Sequence, residues 1–488
     1  PRATLPTPLK PIERAVTTQL SALGIPTTVR RPATLSAEDK VRLNNFGLKP
    51  FEIQSVLDDQ EISQWVLSGL LIHKPGGATV VPRLDQRTVD HLEFQLLAAE
   101  HRLNTGQTPH IALISEPPRL SPAEAFEYHQ QQLSPPKGAD VFSEIKNLLR
   151  TYGYRVSYIN PREPIFPDDA DLVIWMQPRR DATQITQLFS QYLAKGGKGL
   201  VALQHFNIQQ RQYRGSGFQT VYWPQPQYQD LNPYLQKLGL GQVREVLMDQ
   251  TKSRLSLETQ INRTAVREYE AQEVTLPFLI RAVGPNFSAQ SAITRQLGDQ
   301  LFIWGNRFKL EQDSLRAFGL TTQNLVSTSS AAWSYNWRGG WMPERIFLPV
   351  DSLKVGQQPL VVLAEGFFPQ MIYTQDDSGQ VTHSLQYPAN KTKSALLLLG
   401  SSEMFKNDYL YAVGFQHEQL LLNAVAYLTF GNDYTEIQAR RKISRGFQHQ
   451  PTTQKTFWRI FVVGTGALLF LLFGYLRYQR NLRTRSNV

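Results

Sequence analysis

The chain has 488 residues, 41% apolar and 19% charged, with 31 Gly, 30 Pro and no Cys. That is core enough for several domains, and it excludes disulfides, thiolate zinc sites and cysteine nucleophiles. The net charge of +10 lies in the final stretch, where residues 438–488 hold ten basic and no acidic side chains; residues 1–437 carry 41 of each sign, and a neutral body is not that of a nucleic-acid binder, which carries its basic surface on the folded domain.

The chain opens on Pro1 with no charged-then-apolar leader. That reads either as a tail-anchored protein or as one whose exporting amino-terminal part has been removed, and an opening in mid-pattern favours removal. Pro11–Leu23 and Ala37–Phe46 read as helices. Short β-like runs follow at Trp65–Leu67, Leu70–His73 and Thr79–Val81, with Pro75-Gly76-Gly77 as a turn. Thr88–Arg102 has apolar residues at helical spacing.

From 109 onward, strand and helix alternate. Ile111–Ile114, Arg155–Ile159, Leu172–Met176 and Gly199–Leu203 read as strands. Val141–Leu149 and Thr183–Ala194 read as helices, the second with Asp181 as its N-cap and Gly196-Gly197 at its end. Residues 207–345 change character, rich in Gln, Tyr, Trp and Pro, with strand runs at Phe278–Val283 and Gln300–Trp304. Apolar strands return at Leu360–Ala364 and Ala395–Leu399, and Glu418–Leu428 is an amphipathic helix.

The tail segment Ile460–Leu476 carries no charge, and Phe457 and Trp458 lengthen it across a single Arg459 to about 20 residues, the length a spanning helix needs. Trp458, Tyr475 and Tyr478 stand where interfacial aromatics are expected. Arg440, Arg441, Lys442 and Arg445 precede it as a basic cluster suited to lipid headgroups. With six basic residues before the segment and four after it, charge alone does not orient it.

The expected fold class is therefore α/β: a mostly parallel sheet flanked by helices (Rossmann-like), a β-rich insertion or second lobe, and a C-terminal transmembrane helix. The expected divisions are an amino-terminal α/β region (1–105), a Rossmann-like core (106–206), the second lobe (207–345), a closing α/β unit (346–437), a basic juxtamembrane linker (438–456), the transmembrane helix (457–476) and a basic tail (477–488).

Chemical motifs are sparse, and no cofactor is expected. The cluster Gly196-Gly197-Lys198-Gly199 follows a helix and opens a strand, the reverse of a phosphate loop. The nine His show neither H-x-x-x-H nor H-E-x-x-H spacing, so no metal or catalytic set is assigned. Gly400-Ser401-Ser402-Glu403 follows a strand but lacks the second glycine of a nucleophile elbow. Ser115, Gln177, His205, Ser401 and Glu403 are all expected at carboxyl strand ends, where open α/β sheets bind ligands, and form a candidate cleft. Trp333, Tyr335, Trp337 and Trp341 are a candidate binding surface. Three of them have period 2 and would share one strand face; exposed, they form a platform for polysaccharide or protein, and buried, they are core.

Several stretches together resemble one family. They are Ser68–Ile72 with Val80-Val81-Pro82, Val89–Leu103 running into Pro109–Ser115, Asp171–Pro178, and Gln191-Tyr192-Leu193 with Gly196-Gly197. Further on come Leu235, Leu238-Gly239-Leu240, Ala364–Phe368, Leu399–Glu403, Asn423–Leu428, and Ile437 with Ala439-Arg440 and Lys442. In this order they resemble the auxiliary extracytoplasmic component of certain ABC transport systems, typified by the gliding-motility protein GldG and related to a domain of intraflagellar-transport scaffolds. The resemblance implies a non-catalytic body outside the bacterial cytoplasmic membrane, a carboxy terminus inside, and, as partners, a permease, a separate ATPase and the lipid bilayer. Where the family commonly carries an acidic residue after the Gly199–Leu203 strand, this chain has Gln204-His205. The alternative reading is an envelope scaffold or glycan-binding module that shares the fold without transport.

Overall fold

The structure is a computed structural model. It describes residues 9–31, 35–57, 60–75, 77–115, 130, 140–161, 163–179, 182–214, 218–262, 267–349, 351–375 and 381–440, together with 461, 465 and 473–475. The chain separates into two units, Pro1–Lys442 and Ile443–Val488.

The first unit is built on a seven-stranded sheet. Its spatial order is Thr321–Ser327, Pro359–Gly366, Ser394–Leu399, Lys198–Ala202, Leu172–Met176, His110–Ser115, Arg155–Tyr158. The last five strands run parallel. The first two pair antiparallel, each with its neighbour. The strands are apolar on both faces because both faces are covered. Ile111, Leu113, Ile174 and Leu397 pack on one side against the helices Ser143–Thr151 and His417–Phe430. Their alternating neighbours Ala112, Ile114, Trp175 and Leu398 pack on the other side against the helix Thr183–Ala194, through Ile185, Phe189 and Leu193. Each such buried Leu, Ile or Phe contributes about 1.5–3 kcal/mol.

The chain leaves this sheet after Ala202 and returns at Thr321. Between those points it forms a five-stranded sheet in the order Phe218–Pro226, Phe206–Arg214, Lys252–Asn262, Arg267–Ala282, Gln300–Ile303. Its core holds Phe206, Phe278, Leu301 and Trp333. At the amino-terminal end, Ile12, Val16 and Leu20 of the helix Lys10–Ala22 make one buried stripe at i, i+4, i+8. The helix Ala37–Asn45 starts at Ser36, whose Oγ accepts from the Asp39 amide at 3.0 Å. Two hairpins, Phe51–Leu57 with Gln60–Val66 and Leu70–Lys74 with Gly77–Val81, complete this region.

Two parts of the expected fold class are corrected. The sheet is mixed, five parallel strands extended by two that pair antiparallel, and it is accompanied by the five-stranded sheet and several two-stranded ones. The reason lies in the connections. A parallel return needs a crossover, usually helical. Among the described residues, the links 328–358 and 367–393 contain no α-helix, so the strands they join turn back antiparallel. The second correction is the C-terminal transmembrane helix. Among the described residues, no helix is long and apolar enough to cross a membrane. Of residues 457–476, only Phe461, Thr465 and Phe473–Tyr475 are described. The single carboxy-terminal span, and with it the placement in the bacterial cytoplasmic membrane with the body outside, is therefore not supported.

Candidate functional site

The strand register brings the predicted cleft residues to one edge. Ser115 pairs with Met176, Met176 with Ala202, and Ala202 with Leu399. Four parallel strands thus end level, and Gln177, Gln204-His205 and Gly400–Glu403 follow directly. This is the carboxyl edge at which open α/β sheets hold ligands.

Gln204, fully buried, ties this edge to the second sheet. Its Nε2 donates to the carbonyls of Phe206 at 2.7 Å and Trp304 at 3.1 Å. Its Oε1 accepts from the Ser402 amide at 3.0 Å and the Ser402 hydroxyl at 3.4 Å. Asn306 is the second tie: Oδ1 accepts from the His205 amide at 3.0 Å, and its own amide donates to the Gly400 carbonyl at 2.7 Å. Gly400 is required here, because a Cβ at that position falls 2.0 Å from the Asn306 carbonyl oxygen. The Ser401 hydroxyl is fully buried and donates to the Ile303 carbonyl at 2.8 Å. Glu403, 4% exposed, is paired with Lys406, whose Nζ lies 2.7 Å from Oε2. A nucleophile needs a base within hydrogen-bond reach. These serines instead donate to carbonyl and amide oxygens, which are not bases.

What remains at the edge is unsatisfied polarity. His205 is 6% exposed, and neither ring nitrogen has a partner. Burial, and secondarily Arg244, pushes its pKa down to about 4, so the ring is neutral at pH 7. Gln177 is 1% exposed with Nε2 unpartnered, while its Oε1 accepts from Arg179 at 3.4 Å. Each such buried orphan costs about 1–3 kcal/mol. Two non-glycine residues here also hold left-handed backbone, Gln177 at φ 50° and Trp304 at φ 52°, a strain that collects at functional sites. The neighbouring helix starts at the same edge: the Ala182 amide donates to Asp230 Oδ2 at 2.8 Å. The expected N-cap Asp181 lies outside the described residues.

Ser115 is held apart from this group, its hydroxyl donating to Asp140 Oδ1 at 2.6 Å. Asp140 also accepts from Tyr158 at 2.8 Å and from the Phe142 amide at 3.0 Å. At the opposite, amino-terminal edge, His110 links Asp169 (Nδ1, 2.8 Å) to the Ser157 hydroxyl (Nε2, 2.7 Å). The residue types are those of a hydrolytic triad, but Asp169 is 62% exposed and shared with Arg155. A triad carboxylate is buried and given over to its histidine. This network therefore fastens the first residue of one strand to its neighbour.

The aromatic run does not lie along one strand face, because the strand spans only Trp333–Tyr335. Trp333 is core at 1% exposure, with its Nε1 donating to the Ile346 carbonyl at 2.8 Å. Tyr335 is half-buried. Trp337 is half-buried against Phe206, and Trp341 is 56% exposed. Of the basic cluster, Arg440 lies 3.5 Å from Glu93 on the surface; Arg441, Lys442 and Arg445 lie outside the described residues. Gly196, at φ 92°, closes the helix Thr183–Ala194 and precedes a strand, as its order in the sequence predicts. Asn306, Trp304 and Asp230 were not singled out from sequence, although Gly305-Asn306 after a strand run is a turn signal.

A ThuA-like protein of Bacteroides uniformis shares 13% identity with this chain, over 67% of this chain and 96% of that one, at a TM-score of 0.32. That likeness carries no argument. No curated protein matches. Residues 108–436, from the first central strand to the helix Asn432–Gln438, match the family described as ABC-type uncharacterized transport system. The chain belongs to that family, the auxiliary components of ABC-type transport systems.

Proposed function

We propose that this chain is a non-catalytic auxiliary subunit of an ABC-type transport complex, of the kind typified by GldG, which binds a partner or substrate beside the permease while a separate ATPase supplies the energy. The observation that carries this reading is the carboxyl edge: His205 and Gln177 keep buried donors and acceptors unspent, while the adjacent serines have no base to activate them. Such an edge is equipped to hold a polar group and not to cleave one. Family membership supports the transport setting.

The test is affinity purification of the tagged full-length chain from its own cells. Recovery of an ABC permease and its ATPase above an untagged control is the expected result. Recovery of neither, from cells that express both, contradicts the proposal.

A further inference from the structure

Away from the carboxyl edge, a hollow opens between residues 83–91, the helix Ser143–Thr151 and the start of the helix His417–Phe430. Its volume is about 310 Å³, in the size class of small-molecule sites. Tyr411 stands in its wall with the Arg87 guanidinium 4.4 Å from the ring centroid. Burial pushes the Tyr411 phenol up to about 12; Glu144 and Glu418 add to that rise, and Arg87 and Arg83 oppose it. Charges of both signs therefore face one aromatic group. Arg83 is paired with Asp85 at 2.6 Å; among the described residues, Arg87 has no carboxylate within ion-pair distance.

Gln419 lines the same hollow at 2% exposure. Its Nε2 donates to Asn423 Oδ1 at 2.7 Å and to the Gln438 carbonyl at 3.3 Å. Its Oε1 has no partner. A buried acceptor left in that state is costly unless a donor comes to it. A simple anion meets repulsion here from Glu144 and Glu418, and a simple cation meets it from Arg87 and Arg83. A ligand bearing both charges a few bonds apart is opposed by neither pair.

We propose that this hollow binds a small zwitterion of the α-amino-acid class, its carboxylate at Arg87, its ammonium toward Gln419 Oε1 and Glu144, and its side chain against Tyr411 and Phe415. The proposal is independent of the carboxyl-edge reading, since the hollow shares no residue with that edge. The test is isothermal titration of the purified full chain with L-alanine, L-glutamine and L-phenylalanine, followed by the N-acetyl and the carboxamide derivatives of whichever binds best. The expected result is saturable binding of at least one free amino acid, weakened at least about tenfold by blocking either end, and a similar loss in Arg87→Gln. Arg87 is exposed, so that variant keeps its fold; the blocked ligands on the unaltered chain test the same contacts without any mutation. No saturable binding by any of the three overturns the proposal. So does affinity indifferent to blocking either end, or unchanged in Arg87→Gln.

Discussion

At the scale of single residues, side chains of one type divide by what surrounds them. Trp333 fills the core of the second sheet and its indole N–H is satisfied, whereas Trp341, eight residues on, faces water. Trp333→Ala is expected to cost about 3–5 kcal/mol, and Trp341→Ala to stay within about 0.5 kcal/mol. Urea titration of both variants checks this; equal losses contradict the division. His205 is the opposite kind of residue, a buried polar group whose presence destabilises the isolated chain. His205→Leu removes two unpaired ring nitrogens, so it is expected to raise stability by about 1–3 kcal/mol while weakening partner binding at the carboxyl edge. A lower melting temperature in that variant would show that the ring is satisfied in solution.

At the scale of elements, the sequence showed best the pieces whose patterns are local. The strand Leu172–Met176 and the helix Thr183–Ala194 have the bounds their apolar spacing predicts. The hairpin Phe51–Leu57 with Gln60–Val66 shows in sequence only as the run at Trp65, because Glu, Gln and Ser interrupt it. The strands Lys252–Asn262 and the first part of Arg267–Ala282 are hidden for the same reason, being largely polar. The directions of the first two strands of the seven-stranded sheet depend on what the connections lack, and no periodicity displays that. The site follows the same rule. Its placement at carboxyl strand ends was legible because each of its residues ends or follows an apolar strand run, but the role of Gln204 was not, since its partners Trp304 and Ser402 lie 100 and 198 residues away. Gly400 marks where these distant elements cross. Gly400→Ala forces a methyl group into the Asn306 carbonyl and is expected to cost about 3 kcal/mol, read as a fall in melting temperature. A neutral result would mean that the two elements do not touch there.

At the scale of the whole molecule, two of the buried histidines, His205 and His417, set an acid limit. His205 and His417 both have pKa values pushed down to about 4, chiefly by burial. His417 also accepts from the Leu301 amide at 3.0 Å, which suits a neutral ring. The unfolded chain takes up these protons near pH 6.5 and the folded chain only near pH 4. The stability they permit is thus complete above about pH 6.5, falls as the pH drops toward 4, and changes by about 3 kcal/mol per histidine across that window. Chemical denaturation at pH 7.5, 6, 5 and 4 is expected to show this fall, and the His205→Leu variant a shallower one. A flat profile in the unaltered chain contradicts the burial of both rings.

Binding through the carboxyl edge is the central claim, and it is tested most directly by titrating the purified chain against its isolated permease–ATPase complex. The account predicts saturable binding at about 1 µM or tighter, weakened at least about tenfold in the folded His205→Leu variant. No saturation up to about 100 µM, or equal affinity in that variant, contradicts it.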